Sequence, residues 1–154
     1  MRLISFIANN RRSVGFLSVS RESVFPLEGY VDVLSFLSAG EESWAQAANL
    51  AKTASREKLI PLSEVTLLSP LPRPGKILCI GVNYRDHAAE TRLPKVPEVF
   101  TKFSSSTVRD GTRVVIPTAT KQPDYEAELG VVIGQTCRRV AAEDWEQYVF
   151  GIRS

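Results

Sequence analysis

Apolar and polar residues alternate with a period of two in several short stretches of the chain, which read as strands. Leu3 to Ala8 and Ser13 to Val19 read as two strands joined into a hairpin by Asn9-Asn10-Arg11-Arg12. Ser23 to Leu27 adds a short strand, placed at an edge because Pro26 has no amide hydrogen to give a ladder. The period then becomes helical. Asp32 caps a short helix over Val33 to Leu37 that Gly40 ends, and a second helix fits Glu41 to Ser55, with Trp44, Ala47, Ala48 and Ala51 on one face.

Ser69-Pro70-Leu71-Pro72-Arg73-Pro74-Gly75 interrupts the pattern. Alternate prolines stiffen this stretch into an extended connector, so a domain seam is expected here, with residues 1–69 before it and 70–154 after it. Beyond it, Lys76 to Gly81 is a short apolar run of buried-strand type. It stops at a polar cluster of Asn83, Tyr84, Arg85, Asp86, His87 and Glu90. Glu98 to Phe103 alternates with Val99, Thr101 and Phe103 on one face and Lys102 on the other, and Val114 to Pro117 reads as another strand. Glu143 to Phe150 reads as a helix ended by Gly151.

The most informative run is Asp124 to Gly134. As a strand it sends Tyr125, Ala127, Leu129, Val131 and Ile133 to one face and Asp124, Glu126 and Glu128 to the other. Carboxylates on that face stand about 6.5–7 Å apart. They repel by about 2 kcal/mol per pair at an effective dielectric of ~20. Two readings follow. Either the acidic face is solvated, or it is enclosed and a hard divalent cation takes the oxygens as ligands.

Composition narrows the functional classes. Nineteen Lys and Arg against seventeen Asp and Glu give a net charge of +2, too weak and too scattered for nucleic-acid binding. No apolar stretch approaches membrane-spanning length, and the first residues alternate like a strand and do not form a signal peptide. Cys79 and Cys137 belong to no Cys-x-x-Cys or Cys/His cluster, so they read as reduced, packed thiols in a cytoplasmic protein.

His87 is the sole histidine, which excludes a multi-histidine zinc site. On a helical turn it shares a face with Glu90, three residues on. That carboxylate would fix the imidazole tautomer and suit it to draw a proton from water; the alternative is a surface histidine with a helical neighbour. Lys102 faces either an anionic ligand or solvent. The Rossmann and P-loop glycine spacings and the Gly-x-Ser-x-Gly elbow are absent.

Gly81-Val82-Asn83-Tyr84-Arg85-Asp86-His87-Ala88-Ala89-Glu90, then Phe100-Thr101-Lys102, then Asp124 to Gly134, together resemble the fumarylacetoacetate hydrolase family, most of all its domain-containing branch with an N-terminal unit. The resemblance covers about Lys76 to Gly151 well and residues 1–75 more loosely. It implies an α+β, mainly β fold, in which a small N-terminal β-plus-helix unit precedes the first half of a mixed β-roll. It also implies a divalent metal (Mg2+, with Mn2+ or Ca2+ as alternatives) and cleavage of a carbon–carbon bond in a 1,3-diketo or 2-oxo acid by hydrolysis or decarboxylation. Carried over by position, Glu126 and Glu128 are metal ligands, His87 and Glu90 the water-activating pair, and Lys102, Tyr84 and Arg85 substrate contacts.

The family continues past the equivalent of Gly151 into a segment that supplies a third carboxylate, whereas this sequence closes at Ile152-Arg153-Ser154. A truncated enzyme of doubtful activity, or one completed by another chain, is therefore expected. Unfinished strand edges would favour a homo-oligomer, and the alternative function is a non-catalytic association module that pairs through them.

Overall fold

The computed structural model describes residues 2–53, 55–84 and 95–153. The chain forms two compact units, Met1–Thr112 and Arg113–Ser154. This division by compactness falls well after the proline connector, which lies inside the first unit.

In the first unit, β1 (Leu3–Ala8), β2 (Arg11–Leu17), β3 (Ser23–Leu27), β4 (Ile60–Pro61) and β5 (Thr66–Leu67) build one antiparallel sheet in the order β4-β3-β2-β1-β5. Asn9 and Asn10 both take positive φ, 48° and 59°, so the β1–β2 turn is a two-residue loop with left-handed residues. Arg11 and Arg12 therefore belong to β2, not to the turn as the sequence pattern suggests. β3 is internal to the sheet, yet its partner β4 reaches only Ser23 and Val24, so Pro26 has nothing to donate to on that side.

The strand order forces the sheet to curl. β4 and β5 occupy opposite edges, but residues 62–65 alone connect them, and Leu62–Glu64 is a 3-10 turn. Flat, those edges would lie about 19 Å apart, at ~4.8 Å per strand spacing. A 3-10 turn rises only about 2 Å per residue, so the connector cannot span that distance unless the sheet closes toward a half-barrel. One face, with Phe6 and Val24 both fully buried, becomes the inside. The two-residue strands β4 and β5 escape a reading based on alternation because the pattern needs at least four residues to show.

The outer face carries Ser5, Val14, Phe16 and Leu27, and two helices cover it: α1 (Val33–Ser38) and α2 (Gly40–Lys52). Asp32 accepts from the Ser35 amide at 2.8 Å, and the Ser35 hydroxyl oxygen accepts in return from the Asp32 amide at 3.1 Å, a reciprocal cap. Phe36 is the anchor. It lies edge-on to Phe16 (6.4 Å between centroids) and to Tyr30 (5.1 Å), and its carbonyl accepts from Trp44 Nε1 at 2.9 Å.

Ser5 ties three elements together in this core. Its hydroxyl donates to the Pro70 carbonyl (3.1 Å) and accepts from the Val33 amide (3.2 Å), with no exposure to solvent. Replacing it by alanine orphans both groups. Ser5→Ala is expected to cost about 1–3 kcal/mol, read as a shift in the urea midpoint at unchanged m-value.

The first unit also holds a two-stranded ribbon, β6 (Ile77–Gly81) against β7 (Glu98–Lys102), paired from Ile77↔Lys102 to Gly81↔Glu98. Cys79 is buried as expected, but Leu78 and Ile80 are exposed, so β6 is not the buried strand its apolar run suggests. Thr107 Oγ1 donates to the Pro72 carbonyl at 3.0 Å and fastens the segment after β7 to the proline connector.

In the second unit, β8 (Gly130–Ile133) pairs antiparallel with β9 (Val149–Arg153), with an irregularity at Val132/Ile133. Three expectations are corrected here. Val114 to Pro117 forms no strand. The helix over Glu143 to Phe150 is one 3-10 turn, Trp145–Tyr148, and Gly151 lies inside β9 and ends no helix. The strand over Asp124 to Gly134 shrinks to Gly130–Ile133. The third has a clear cause: β9 reaches Gly130 at Arg153, and no strand pairing among the described residues takes in 124–128.

Candidate functional site

The residues singled out by sequence fall at strand ends, where irregular backbone can present side chains. Gly81 closes the β6–β7 ribbon opposite Glu98, and the chain turns away at Val82. Val82 has φ +53°, in the left-handed region. Among the described non-glycine residues with positive φ, the others are Asn9, Asn10, Arg21 and Arg139, so Val82 is the single β-branched one. Such a residue in that region carries strain of about 1–3 kcal/mol. Sequence reading misses it because a valine after an apolar run looks like more strand.

Asn83 and Tyr84 follow, both exposed. Arg85, His87 and Glu90, expected as substrate contact and water-activating pair, lie outside the described residues. Lys102 is the last residue of β7, opposite Ile77. It shares its strand face with Phe100, and its Nζ stands 5.9 Å from that ring's centroid. This is cation–π distance, and it gives the exposed amine a preferred direction.

Glu126 and Glu128 are both exposed, in the irregular segment that leads into β8. The expected apolar back is exposed as well: Tyr125 is 90% and Leu129 58% accessible. The acidic segment is therefore not a buried-backed strand, because the layer that would cover it is absent from the described residues. Among those residues the two carboxylates make no hydrogen bond or ion pair. Alternate carboxylates in extended chain are the oxygen donors that a hard divalent cation takes. They fit as two ligands of such a site, and no group of three or more His, Cys, Asp and Glu among the described residues completes it. Cys137, expected to be packed, is exposed. No helix among the described residues is long and apolar enough to cross a membrane.

The family model described as fumarylacetoacetate (FAA) hydrolase C-terminal matches residues 76–153, from the start of β6 to the end of β9. Oxaloacetate tautomerase Fahd2a, mitochondrial, of Rattus norvegicus is 40% identical over 121 residues, 77% of this chain and 38% of the relative. Oxaloacetate tautomerase fahd2, mitochondrial, of Xenopus laevis is 35% identical over 98% of this chain and 50% of its own length. Two solved structures share the fold across 99% of the chain. Maleylpyruvate hydrolase from Sphingobium sp. SYK-6, in complex with manganese(II) and pyruvate, has a TM-score of 0.73 at 26% identity. Fumarylacetoacetate hydrolase from Exiguobacterium antarcticum has a TM-score of 0.71 at 25% identity. The chain covers 56% and 53% of these two, so it spans about half the length of the proteins it matches.

Proposed function

Because the chain belongs to the fumarylacetoacetate hydrolase family, we propose that it supplies part of a divalent-metal site acting on a 2-oxo or 1,3-diketo acid. The reaction is hydrolytic or decarboxylative carbon–carbon cleavage, or the tautomerisation named for its relatives. One observation carries this reading: within the matched region, Glu126 and Glu128 stand two residues apart, exposed, with no partner among the described residues. A divalent cation, Mg2+ or Mn2+, supplies polarisation of the substrate's paired oxygens when bound.

The chain's own residues do the rest. Glu126 and Glu128 hold the cation by two of its ligands. His87 draws the proton from water, and Glu90 holds the imidazole in the tautomer that accepts it. Lys102, steered by Phe100, meets a carboxylate of the substrate, with Tyr84 and Arg85 as further contacts.

Titration with Mn2+, followed by the loss of the free-ion electron paramagnetic signal, tests the metal site. Glu126→Gln and Glu128→Gln are each expected to raise Kd at least about tenfold. Equal affinity in both variants and the parent sinks the assignment. Turnover of oxaloacetate and acylpyruvates with Mg2+ or Mn2+, abolished by His87→Ala, tests the base.

A second reading rests on a separate observation. The apolar side chains of Tyr125, Leu129, Val131 and Ile133 are exposed, and no strand pairing among the described residues takes in 124–128. An association module that pairs through this edge has those properties. Sedimentation separates the two readings: self-association that ignores metal favours the module, and metal-dependent behaviour favours the enzyme.

A further inference from the structure

The inward face of the half-barrel is left unfilled at one end. Ladder pairing and alternation turn Phe6 and Ala8 of β1, Arg11 and Ser13 of β2, Pro26 of β3 and Ile60 of β4 to that face. Phe6 is fully buried and forms a floor, but its neighbours Ala8 and Ser13 are small. These six residues line a hollow of about 570 Å3. The β1–β2 turn bounds one side of its mouth, and the segment from Glu28 to Val31 bounds the other. That volume suits a small organic molecule.

Charge selects the class of molecule. The residues that line the hollow include three charged ones, Arg11, Arg12 and Glu28, which together carry a net +1. Among the described residues, none of these three side chains has a hydrogen-bond or ion-pair partner, and neither has the half-buried Ser13 hydroxyl. A guanidinium beside an apolar floor offers a carboxylate two parallel N–H donors. Glu28 on the same rim repels a second negative charge, so a monoanion fits better than a dianion. The position of Arg11 is set before any ligand arrives. Asn9 and Asn10, both at positive φ, close the two-residue turn that puts Arg11 directly opposite Ala8.

We propose that this end of the half-barrel is a binding site for a small monocarboxylate with an apolar body. Arg11 takes the carboxylate, with the Ser13 hydroxyl as a further donor, while Phe6, Pro26 and Ile60 cover the apolar part. Every residue of the site belongs to the first unit, and Glu126 and Glu128 belong to the second, so the assignment does not rest on the metal-dependent reading above.

Phenylacetate is the probe and 2-phenylethanol its neutral counterpart, each titrated into the full chain without metal and followed by 1H–15N amide shifts. Phenylacetate is expected to saturate with a Kd on the order of 1–10 mM, modest because the hollow is open to solvent. The amides of Ala8, Ser13 and Gly29 should move, and those of β6 and β7 should not. Arg11→Gln is expected to weaken phenylacetate at least about fivefold and to leave 2-phenylethanol unaffected. Arg12→Gln removes the same charge from the neighbour that alternation turns outward, and should weaken it by no more than about twofold. Glu28→Gln should tighten it, and Ala8→Leu, which fills the hollow, should abolish binding.

No saturable shift with phenylacetate up to about 50 mM overturns the proposal. Equal weakening by Arg11→Gln and Arg12→Gln does so as well, since that marks diffuse attraction to a basic surface. Equal affinity for phenylacetate and 2-phenylethanol also overturns it, because the hollow is then merely apolar. Should Ala8→Leu disturb the fold, the two arginine variants, both at exposed positions, still decide the matter.

Discussion

Gly15→Ala is expected to unfold a large share of the N-terminal unit at room temperature. Gly15 faces the inside of the half-barrel, where β2 and β3 cross closely. A Cβ there would collide with the Phe25 carbonyl oxygen, and would lie 2.7 Å from Val24 Cγ2. The valine side chain is fully buried and cannot swing away, and the carbonyl belongs to the paired strand. Relief requires β2 and β3 to part, which breaks the ladder between them. Overpacking costs about 1–3 kcal/mol where side chains can adjust; with backbone as the obstacle, about 3 kcal/mol or more is expected. Urea denaturation followed by tryptophan fluorescence measures it, since Trp44 reports on this unit. A stability loss below about 0.5 kcal/mol would mean that β2 and β3 leave room for a methyl group at this position.

Phe36→Ala acts on the other face of the same sheet. The ring is 1% exposed and is held edge-on by Phe16 and Tyr30, so its loss leaves a cavity lined by two aromatic faces. Removing a buried phenylalanine costs about 3–5 kcal/mol, a large part of the stability of a small unit. Phe36→Leu is expected to recover part of that loss because it refills much of the volume. The same two variants, followed by near-ultraviolet circular dichroism, distinguish a collapsed core from a merely loosened α1. If Phe36→Ala melts within a degree or two of the parent, α1 is not the lid of this core.

How far the residues announce this structure depends on the range of the forces involved. The β1–β2 hairpin, β3, the Asp32 cap and both helices are written locally, in alternation, in a capping pair and in a 3.6-residue stripe. β4 and β5 are not, because a two-residue strand exists only through its partners. The acidic segment fails for the opposite reason. Its alternation from Tyr125 to Ile133 is a sound strand pattern, yet an extended chain becomes a strand only where another supplies the ladder, and the described partner ends opposite Gly130. At the site, an apolar run and an alternating one bring out β6 and β7, and the family motifs bring out the region matched at 76–153. Val82 stays hidden, since nothing in the letter V marks a left-handed backbone.

The placement of β5 beside β1 has a consequence for synthesis. Phe6 meets Leu67, and Ile7 meets Thr66, so β1 pairs with a segment made about sixty residues later. Until Leu67 is clear of the exit tunnel, the nascent hairpin of β1 and β2 stands with one edge bare and half its apolar interior wet. Because such distant contacts come late, this unit should fold slowly for its size, and a pause in translation ahead of residue 67 would lengthen the window in which a chaperone, or aggregation, can claim it.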